Sequence, residues 1–232
     1  MGLNTGAVKQ QSTKARVQQT ELAVDSYMAR IAQIIDLGLQ PRDVWDSVSE
    51  KYVINTEERP QNKIMVTYEF LTEFCVDAAG VPDESKPRWL SEDLYLFPLF
   101  SEKAKSTARS KAIDPQGKLA GNWEEYCTLP CTVTVALKKS GKAKVGMVTP
   151  AMKGIPYPEL KNQPKLFLLD SPDLEVFGSL PDWVKEKIKS NLEYNGSALE
   201  KLLGGEGIPA PVQPKPAPAP IVEPIPEEDM PW

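Results

Sequence analysis

Three aromatic side chains that could stack on nucleic-acid bases recur in one β-prone segment, RWLSEDLYLFPL at residues 88–99. Alternation along this segment places leucines on one face of a strand and Trp89, Tyr95 and Phe97, among polar residues, on the other. Rings in such a position can stack on the bases of a single strand, with Lys63 and Arg88 nearby to contact phosphates. Burial in the protein's own core is the alternative interpretation, because aromatic residues on strands commonly pack inside.

Two groups of basic residues could bind phosphates beside that face. The segment SEKAKSTARSKAID, residues 101–114, predicts a helix capped by Ser101, and its low apolar content indicates a surface position. We expect this helix to present four basic residues to solvent or a ligand: Lys103, Lys105, Arg109 and Lys111. The second group surrounds a predicted Ser140-Gly141 turn and consists of Lys138, Lys139, Lys142 and Lys144. A solvated turn without a ligand is the alternative for this second group.

The composition disfavours most catalytic chemistry. There is no histidine to act as a general base, and the three cysteines lack the paired spacing of a zinc site. We therefore predict a protein that is not an enzyme and that needs no metal or cofactor. One alternative is a metal-dependent nuclease that uses the carboxylates of LLDSPDLE, namely Asp170, Asp173 and Glu175. A turn at Ser171-Pro172, with Asp173 or Ser171 at the start of another element, explains the same residues without catalysis.

The net charge of −5 is distributed unevenly along the chain. After residue 203 there are five acids and one lysine, so most of the negative charge belongs to the C-terminal segment. Nine prolines between Pro209 and Pro231 predict a stiff, extended spacer that ends in EEDMPW. An acidic, aromatic end of this kind suits a basic pocket on a partner protein. We expect that pocket to be contacted by Glu227, Glu228, Asp229, Met230, Pro231 and Trp232.

The remaining patterns predict the elements that must position these groups. β-prone runs predict strands ending near Gly38, over residues 63–74 and 88–99, and in a hairpin of 131–138 and 144–152. The polar stretch 42–61 between the first two strands predicts a long connecting loop. Near the C-terminus, SLPDWVKEKIKSNL and GSALEKLLGG predict two helices, the second with Ser197 and Glu200 in capping-box spacing.

This order of elements predicts a mainly β fold, a five-stranded OB barrel with a helix between its third and fourth strands. The predicted organisation is a flexible basic arm at residues 1–25 and the OB-fold domain at 26–178. A helical extension follows at 179–205, and a disordered, proline-rich acidic tail at 206–232. OB barrels bind single strands on the face of their second and third strands, which here would carry the three aromatics.

The chain also resembles bacteriophage single-stranded DNA-binding proteins. The resemblance lies in ARIAQIIDLGLQP, IMVTYEFLTEF, PRWLSEDLYLFPL, SEKAKSTARSKAIDPQGKLAGNW and the helical region before Gly205, while EEDMPW is similar to the acidic tip of bacterial single-stranded DNA-binding proteins. The resemblance implies an OB-fold body that coats and protects single-stranded DNA during phage DNA replication, recombination and repair. It also implies a tip that recruits replication or recombination proteins.

Two further expectations concern partners and location. No apolar run approaches the length of a membrane span, so we expect a soluble protein without a membrane partner, in the cytoplasm of the host cell if phage-encoded. The tail could also compete with DNA for the basic body, because it resembles a polyanion. A protein–protein adaptor that binds no nucleic acid is the remaining alternative, and it predicts no binding to oligo-dT. The sequence leaves the oligomeric state open.

Overall fold

The computed structural model describes residues 19–49, 51–55 and 57–204, and in these residues the chain is mainly β. The strands are β1 (Ser26–Gln40), β2 (Asp43–Asp46), β3 (Lys51–Ile54), β4 (Gln61–Val76), β5 (Pro82–Tyr95), β6 (Pro130–Leu137), β7 (Ala143–Pro150) and β8 (Lys165–Phe167). The α-helices are α1 (Lys105–Ile113), α2 (Leu174–Gly178), α3 (Asp182–Lys189) and α4 (Ala198–Leu202), with a 3₁₀ turn at Trp123–Tyr126. The expectation of a mainly β protein is confirmed.

A largely antiparallel sheet has β1 at its centre. The strand order is β5-β4-β1-β6-β7, and the short β8 joins β1 in parallel. β1 pairs with two long strands: its first residues, Ser26 to Arg30, pair with β6, and the strand from Ala29 onward pairs with β4. The register shifts between Asp36 and Gly38, where Gly38 has a φ of +73° and donates its amide to Asp36. This bulge lets β1 bend and continue to Gln40, two residues past the predicted end.

Both faces of β1 are buried, which gives the sheet two apolar cores. Ile31 and Ile34 belong to the core between β4, β5, β6 and β7, into which the predicted leucine face of β5 also packs. Ile35 and Leu37 belong to a second core, which β8, α2, α3 and α4 cover from outside. The C-terminal helices are therefore packed on the outer side of β1 and β4, and the outward positions of β5 lie beside them.

Helix α1 bridges the two ends of the sheet. Arg109 donates from Nε to the Glu92 carboxylate of β5 at 2.8 Å and from a terminal nitrogen to the Gly146 carbonyl of β7 at 2.9 Å. Within the described residues, β5 and β7 share no strand pairing of their own. The register of β6 and β7 shifts between Thr134 and Val135, which leaves Gly146 as an extra residue whose carbonyl turns to Arg109.

The prediction of a connecting loop at residues 42–61 is wrong for the residues of β2 and β3. β2 and β3 form an antiparallel hairpin there, with Trp45 opposite Tyr52 in the backbone register. A hairpin of four-residue strands carries too little apolar alternation to be recognised against its polar surroundings. Tyr95 binds the backbone at the base of this hairpin: its hydroxyl donates to the Pro41 carbonyl at 2.9 Å and accepts a hydrogen bond from the Asp43 amide at 3.1 Å.

Three other boundaries also differ from the prediction. Helix α1 begins at Lys105 with Ala104 at its N-cap and no side-chain cap, so Ser101 does not cap it. Strand β5 begins at Pro82, six residues before the predicted strand of residues 88–99. Residues 19–25, expected to be part of a flexible arm, lie against the body instead: Leu22 is 3% exposed and the Gln19 amide makes two hydrogen bonds to the Val76 backbone.

The C-terminal helices agree closely with the prediction. Val184 and Ile188 of α3 are fully buried, as their helical spacing indicates. Ser197 caps α4 by accepting a hydrogen bond from the Glu200 amide at 3.1 Å, whereas Glu200 accepts one from the amide of Gly196, the residue before the cap, so only the Ser197 half of the capping box is confirmed. The described residues contain no helix with the length and apolar character needed to cross a membrane.

Candidate nucleic-acid interface

An open groove of about 500 Å³ brings five of the predicted site residues together from separate parts of the chain. We call it the lysine groove. The predicted residues in its wall are Lys63, Tyr95, Lys105, Lys138 and Lys144. The other residues that line it are Asp43, Ser91, Glu92, Asp93, Ala143 and Val145. These residues belong to strands β4 and β5, the tip of the β6–β7 hairpin, the start of α1 and the β2–β3 hairpin.

Tyr95 and Lys63 occupy opposite positions on paired strands. The Lys63 ammonium lies 4.5 Å from the centre of the Tyr95 ring and 3.4 Å from its hydroxyl. Burial lowers the pKa of Lys63, but Tyr95, Asp93 and Asp43 outweigh this effect and raise it. Burial also raises the pKa of Tyr95, which Lys63 partly offsets. Lys63 is therefore a fixed cation at the floor of the groove, and Tyr95 is a half-buried neutral ring beside it.

A buried ionic cluster supports the floor of the groove. Glu92 accepts hydrogen bonds from Arg109 and from the Tyr68 hydroxyl at 2.9 Å, and the Lys105 ammonium lies 2.6 Å from its other oxygen. Burial and the nearby Glu92 carboxylate raise the pKa of Tyr68 well above its usual value of 10, so the hydroxyl remains a donor. Of these cations, Lys105 is half exposed at the groove surface and can reach a ligand.

The structure corrects the expectation for Arg109. Its side chain was expected at the surface of the basic helix, but the residue is only 5% exposed and forms a bidentate pair with Glu92. The helix directs this side chain toward the gap between β5 and β7, where its charge offsets that of the buried Glu92 carboxylate. Arg109 therefore stabilises the structure beneath the groove and is not one of its lining residues. Lys103 and Lys111 are exposed outside the groove, and Lys111 lies 3.7 Å from Glu102.

The tip of the β6–β7 hairpin carries the most accessible positive charge. Its four lysines are exposed, and the backbone closes a turn in which the Lys138 amide donates to the Lys142 carbonyl at 2.8 Å. Within the described part of the chain, none of the four forms an ion pair with a carboxylate. Only Lys138 and Lys144 face the groove, and Lys139 and Lys142 are not among its lining residues.

The other predicted contacts lie on or near β5 but outside the groove. Trp89 is exposed on the outward face of β5, opposite Glu69 of β4, and Arg88 beside it is half-buried. Phe97 is half-buried just after β5, where the Arg42 guanidinium lies 5.3 Å from the centre of its ring. Trp89 thus continues the outward strip that Tyr95 begins, whereas Phe97 packs against Arg42 near α1.

Several residues at this site were missed by sequence reasoning. Asp43 and Asp93 bring negative charge to the Lys63 ammonium at 3.4 and 3.7 Å. Lys187 of α3 reaches Asp93 at 2.7 Å, and the exposed Trp183 lies one helical turn before it. These groups come from distant segments, so spacing alone could not place them. The one available signal was an aromatic and a lysine four residues apart on a predicted helix.

The carboxylates of the nuclease alternative have structural partners or lie apart from the groove. Asp173 caps α2 by accepting hydrogen bonds from the Glu175 and Val176 amides at 2.8 and 3.1 Å. Asp170 is exposed and lines a different cavity, of about 360 Å³, and Glu175 is exposed in the first turn of α2. No group of three potential metal-ligating acids or cysteines occurs in the described ranges. The interpretation that Asp173 starts a new element is confirmed, and that element is helix α2.

Two of the predicted binding segments lie outside the described residues: the partner-binding residues Glu227 to Trp232 and residues 1–18 of the basic arm. The three cysteines are free thiols, and burial raises the pKa of Cys131 to about 12 and also raises that of Cys127.

Comparison of the chain with protein-family models, curated proteins and solved structures found no match.

Proposed function

We propose that this protein binds single-stranded DNA without sequence preference, through the lysine groove and the outward face of β5. The observation that carries the proposal is the convergence of Lys63, Tyr95, Lys105, Lys138 and Lys144, from separate segments of the chain, on one open groove. A groove of lysines beside an aromatic ring matches the general requirements of single-strand binding, in which cations follow the backbone and rings stack on bases.

We further propose that the sheet is a partly open OB barrel. Its five strands would be β1, β4, β5, β6 and β7, and α1 lies between the third and fourth of them. OB folds bind nucleic acid on the face of their second and third strands, between the loop that follows strand one and the loop that joins strands four and five. Here those features are β4 and β5, the β2–β3 hairpin and the lysine tip, all of which border the lysine groove.

The charges of the groove support a salt-dependent, backbone-directed mode of binding. Four lysines and three carboxylates line it, but Arg109 also neutralises Glu92 and Lys187 also neutralises Asp93. The remaining positive charge is concentrated at the exposed ends of Lys138 and Lys144. Phosphates bound there would displace counterions, and each contact would make the negative slope of log affinity against log salt steeper by about 0.7.

The biological role that fits this activity is the coating and protection of single-stranded DNA during phage DNA replication, recombination and repair, in the cytoplasm of the host. In this proposal the acidic tip, Glu227 to Trp232, recruits replication or recombination proteins to the coated strand. Its support is the sequence: three acids steer a basic partner, and the Trp ring anchors the contact.

A titration of oligo-dT and duplex DNA at two salt concentrations tests the proposed activity. We expect strong preference for the single strand and weaker binding at the higher salt concentration. Absence of binding would contradict the proposal and favour the adaptor alternative, and equal affinity for duplex DNA would contradict single-strand specificity. Incubation of labelled oligo-dT with magnesium or manganese should leave it intact; cleavage that is lost in Asp170→Ala would instead favour a nuclease.

A further inference from the structure

Helix α3 exposes a large aromatic ring that belongs to neither apolar core. Trp183 is 51% exposed, whereas Val184 and Ile188, on the opposite side of the same helix, are fully buried in the second core. The Lys187 ammonium lies 5.1 Å from the centre of the Trp183 ring. An exposed indole beside a cation presents both groups that a nucleotide needs, a stacking surface for the base and a positive charge for the phosphate.

Ionic contacts connect this ring to the lysine groove. Lys187 lies 2.7 Å from the Asp93 carboxylate of β5, and the same carboxylate oxygen lies 3.7 Å from the Lys63 ammonium in the groove. Asp93 and Tyr95 occupy outward positions of one strand, two residues apart, so α3 forms a wall along the groove's continuation.

The direction of α3 places Trp183 on the side away from Tyr95. At the end of the helix, the Lys187 carbonyl accepts a hydrogen bond from Gln40, the last residue of β1. Before its start, Ser179 accepts one from Lys165, which pairs with Gln33 in a row that continues through Thr67 to Ser91 of β5. The helix therefore runs parallel to its neighbour β1, and Trp183 lies toward the Ser91 and Trp89 end of β5.

We propose that Trp183 is a second base-stacking platform for single-stranded DNA, placed beyond the lysine groove along β5. This inference rests on the proposed function and deepens it, because it assigns the strand a path. The backbone enters between Lys138, Lys144 and Lys63, passes Tyr95 and Asp93, and a base then stacks on Trp183 with a phosphate near Lys187. The C-terminal helices thus take part in binding as well as in the fold.

Oligo-dT affinities of three Trp183 variants test the proposal. Trp183→Ala should bind roughly 5- to 150-fold more weakly, the range that corresponds to about 1 to 3 kcal/mol per stacked base. Trp183→Phe should retain most of the affinity, because a ring remains, whereas Trp183→Leu should resemble the alanine variant. Leu202→Ala on α4 is the matched control: that residue is also a large apolar side chain, 54% exposed, and its removal should leave affinity unchanged.

The length of the DNA separates this inference from the proposed function. Because Trp183 lies beyond the groove, its loss should weaken binding of oligomers of about 16 nucleotides more than binding of oligomers of about 4. Equal affinities of Trp183→Ala and wild type at every length would overturn the second platform and leave the groove intact. Equal weakening in Trp183→Phe and Trp183→Ala would also overturn it, because the ring would then have only a packing role. Failure of the wild type to bind oligo-dT would instead contradict the proposed function.

Discussion

At the scale of residues, the hairpin tip offers an internally matched test of the groove. Lys138 and Lys144 line the groove, whereas Lys139 and Lys142 project from the same tip without lining it. The double variant K138A/K144A should bind oligo-dT more weakly and lower the salt slope by about 1.4, the value for two phosphate contacts. The variant K139A/K142A has the same change in charge and should lose less of both. Equal losses in a fluorescence titration would show that only the net charge of the tip matters.

Replacement of Arg109 should lower the free energy of unfolding, and not only the affinity for DNA. Arg109→Met leaves Glu92 buried with only the half-exposed Lys105 as a cation, and loss of one partner of a buried pair costs about 3 to 5 kcal/mol. We expect a loss near 3 kcal/mol in urea unfolding, because Lys105 remains. Lys111→Met on the same helix removes an exposed charge and should change stability by less than about 0.5 kcal/mol. Similar small effects of both substitutions would contradict the buried cluster.

Cys131 should report on unfolding. The residue is fully buried and burial raises its pKa to about 12, so at pH 8 its thiol is both inaccessible and protonated. Iodoacetamide should therefore label Cys75 in the folded protein and Cys131 only when urea unfolds it, as mass spectrometry of peptides can show. Rapid labelling of Cys131 in the native protein would mean that the core between β1 and β6 opens readily.

At the scale of elements, the bulge in β7 is required for the contact with α1. A Cβ atom added to Gly146 would lie 2.9 Å from the Thr134 carbonyl and 3.1 Å from the Ala136 Cβ, which are parts of the paired strand. Gly146→Ala should therefore cost about 1 to 3 kcal/mol in urea unfolding. Gly178 in α2 has open space around it, and Gly178→Ala should leave stability unchanged or slightly higher. Equal stabilities of the two variants would contradict this packing.

Local patterns in the sequence account for part of this architecture. The long strands and the β6–β7 hairpin were predictable because their β-branched residues and the Ser140-Gly141 turn are contiguous signals. The same holds for α3 and α4, whose apolar spacing and capping residues lie within one or two turns. The place of β8 in the sheet could not be predicted, because this three-residue strand is stabilised by its parallel pairing with β1, far away in the sequence.

The site itself depends on contacts between distant residues. The sequence predicts the basic residues as a set, but only the folded sheet separates Lys138 and Lys144 in the groove from Lys139 and Lys142 outside it. Arg109 could not be recognised as buried because its partner Glu92 lies on a strand that reads as half exposed. Residue type thus predicts the chemistry of this surface, whereas the topology decides which residues share it.

At the scale of the whole molecule, the uneven charge of the chain predicts competition between the acidic tip and DNA. Replacement of Glu227, Glu228 and Asp229 by their amides should raise affinity for oligo-dT at low salt, because a competing polyanion is lost. Trp232→Ala keeps the acids and should leave that affinity unchanged, while it weakens capture of a partner protein. Unchanged affinity in the amide variant at low salt would exclude self-competition.

Lysine footprinting tests the central claim, that single-stranded DNA occupies the lysine groove. The protein is saturated with oligo-dT, its lysines are methylated, and the modified peptides are compared with those of the free protein by mass spectrometry. The account predicts protection of Lys63, Lys105, Lys138 and Lys144, with unchanged modification of the exposed Lys118, Lys153 and Lys201. Saturation that leaves the four groove lysines as reactive as in the free protein would contradict it.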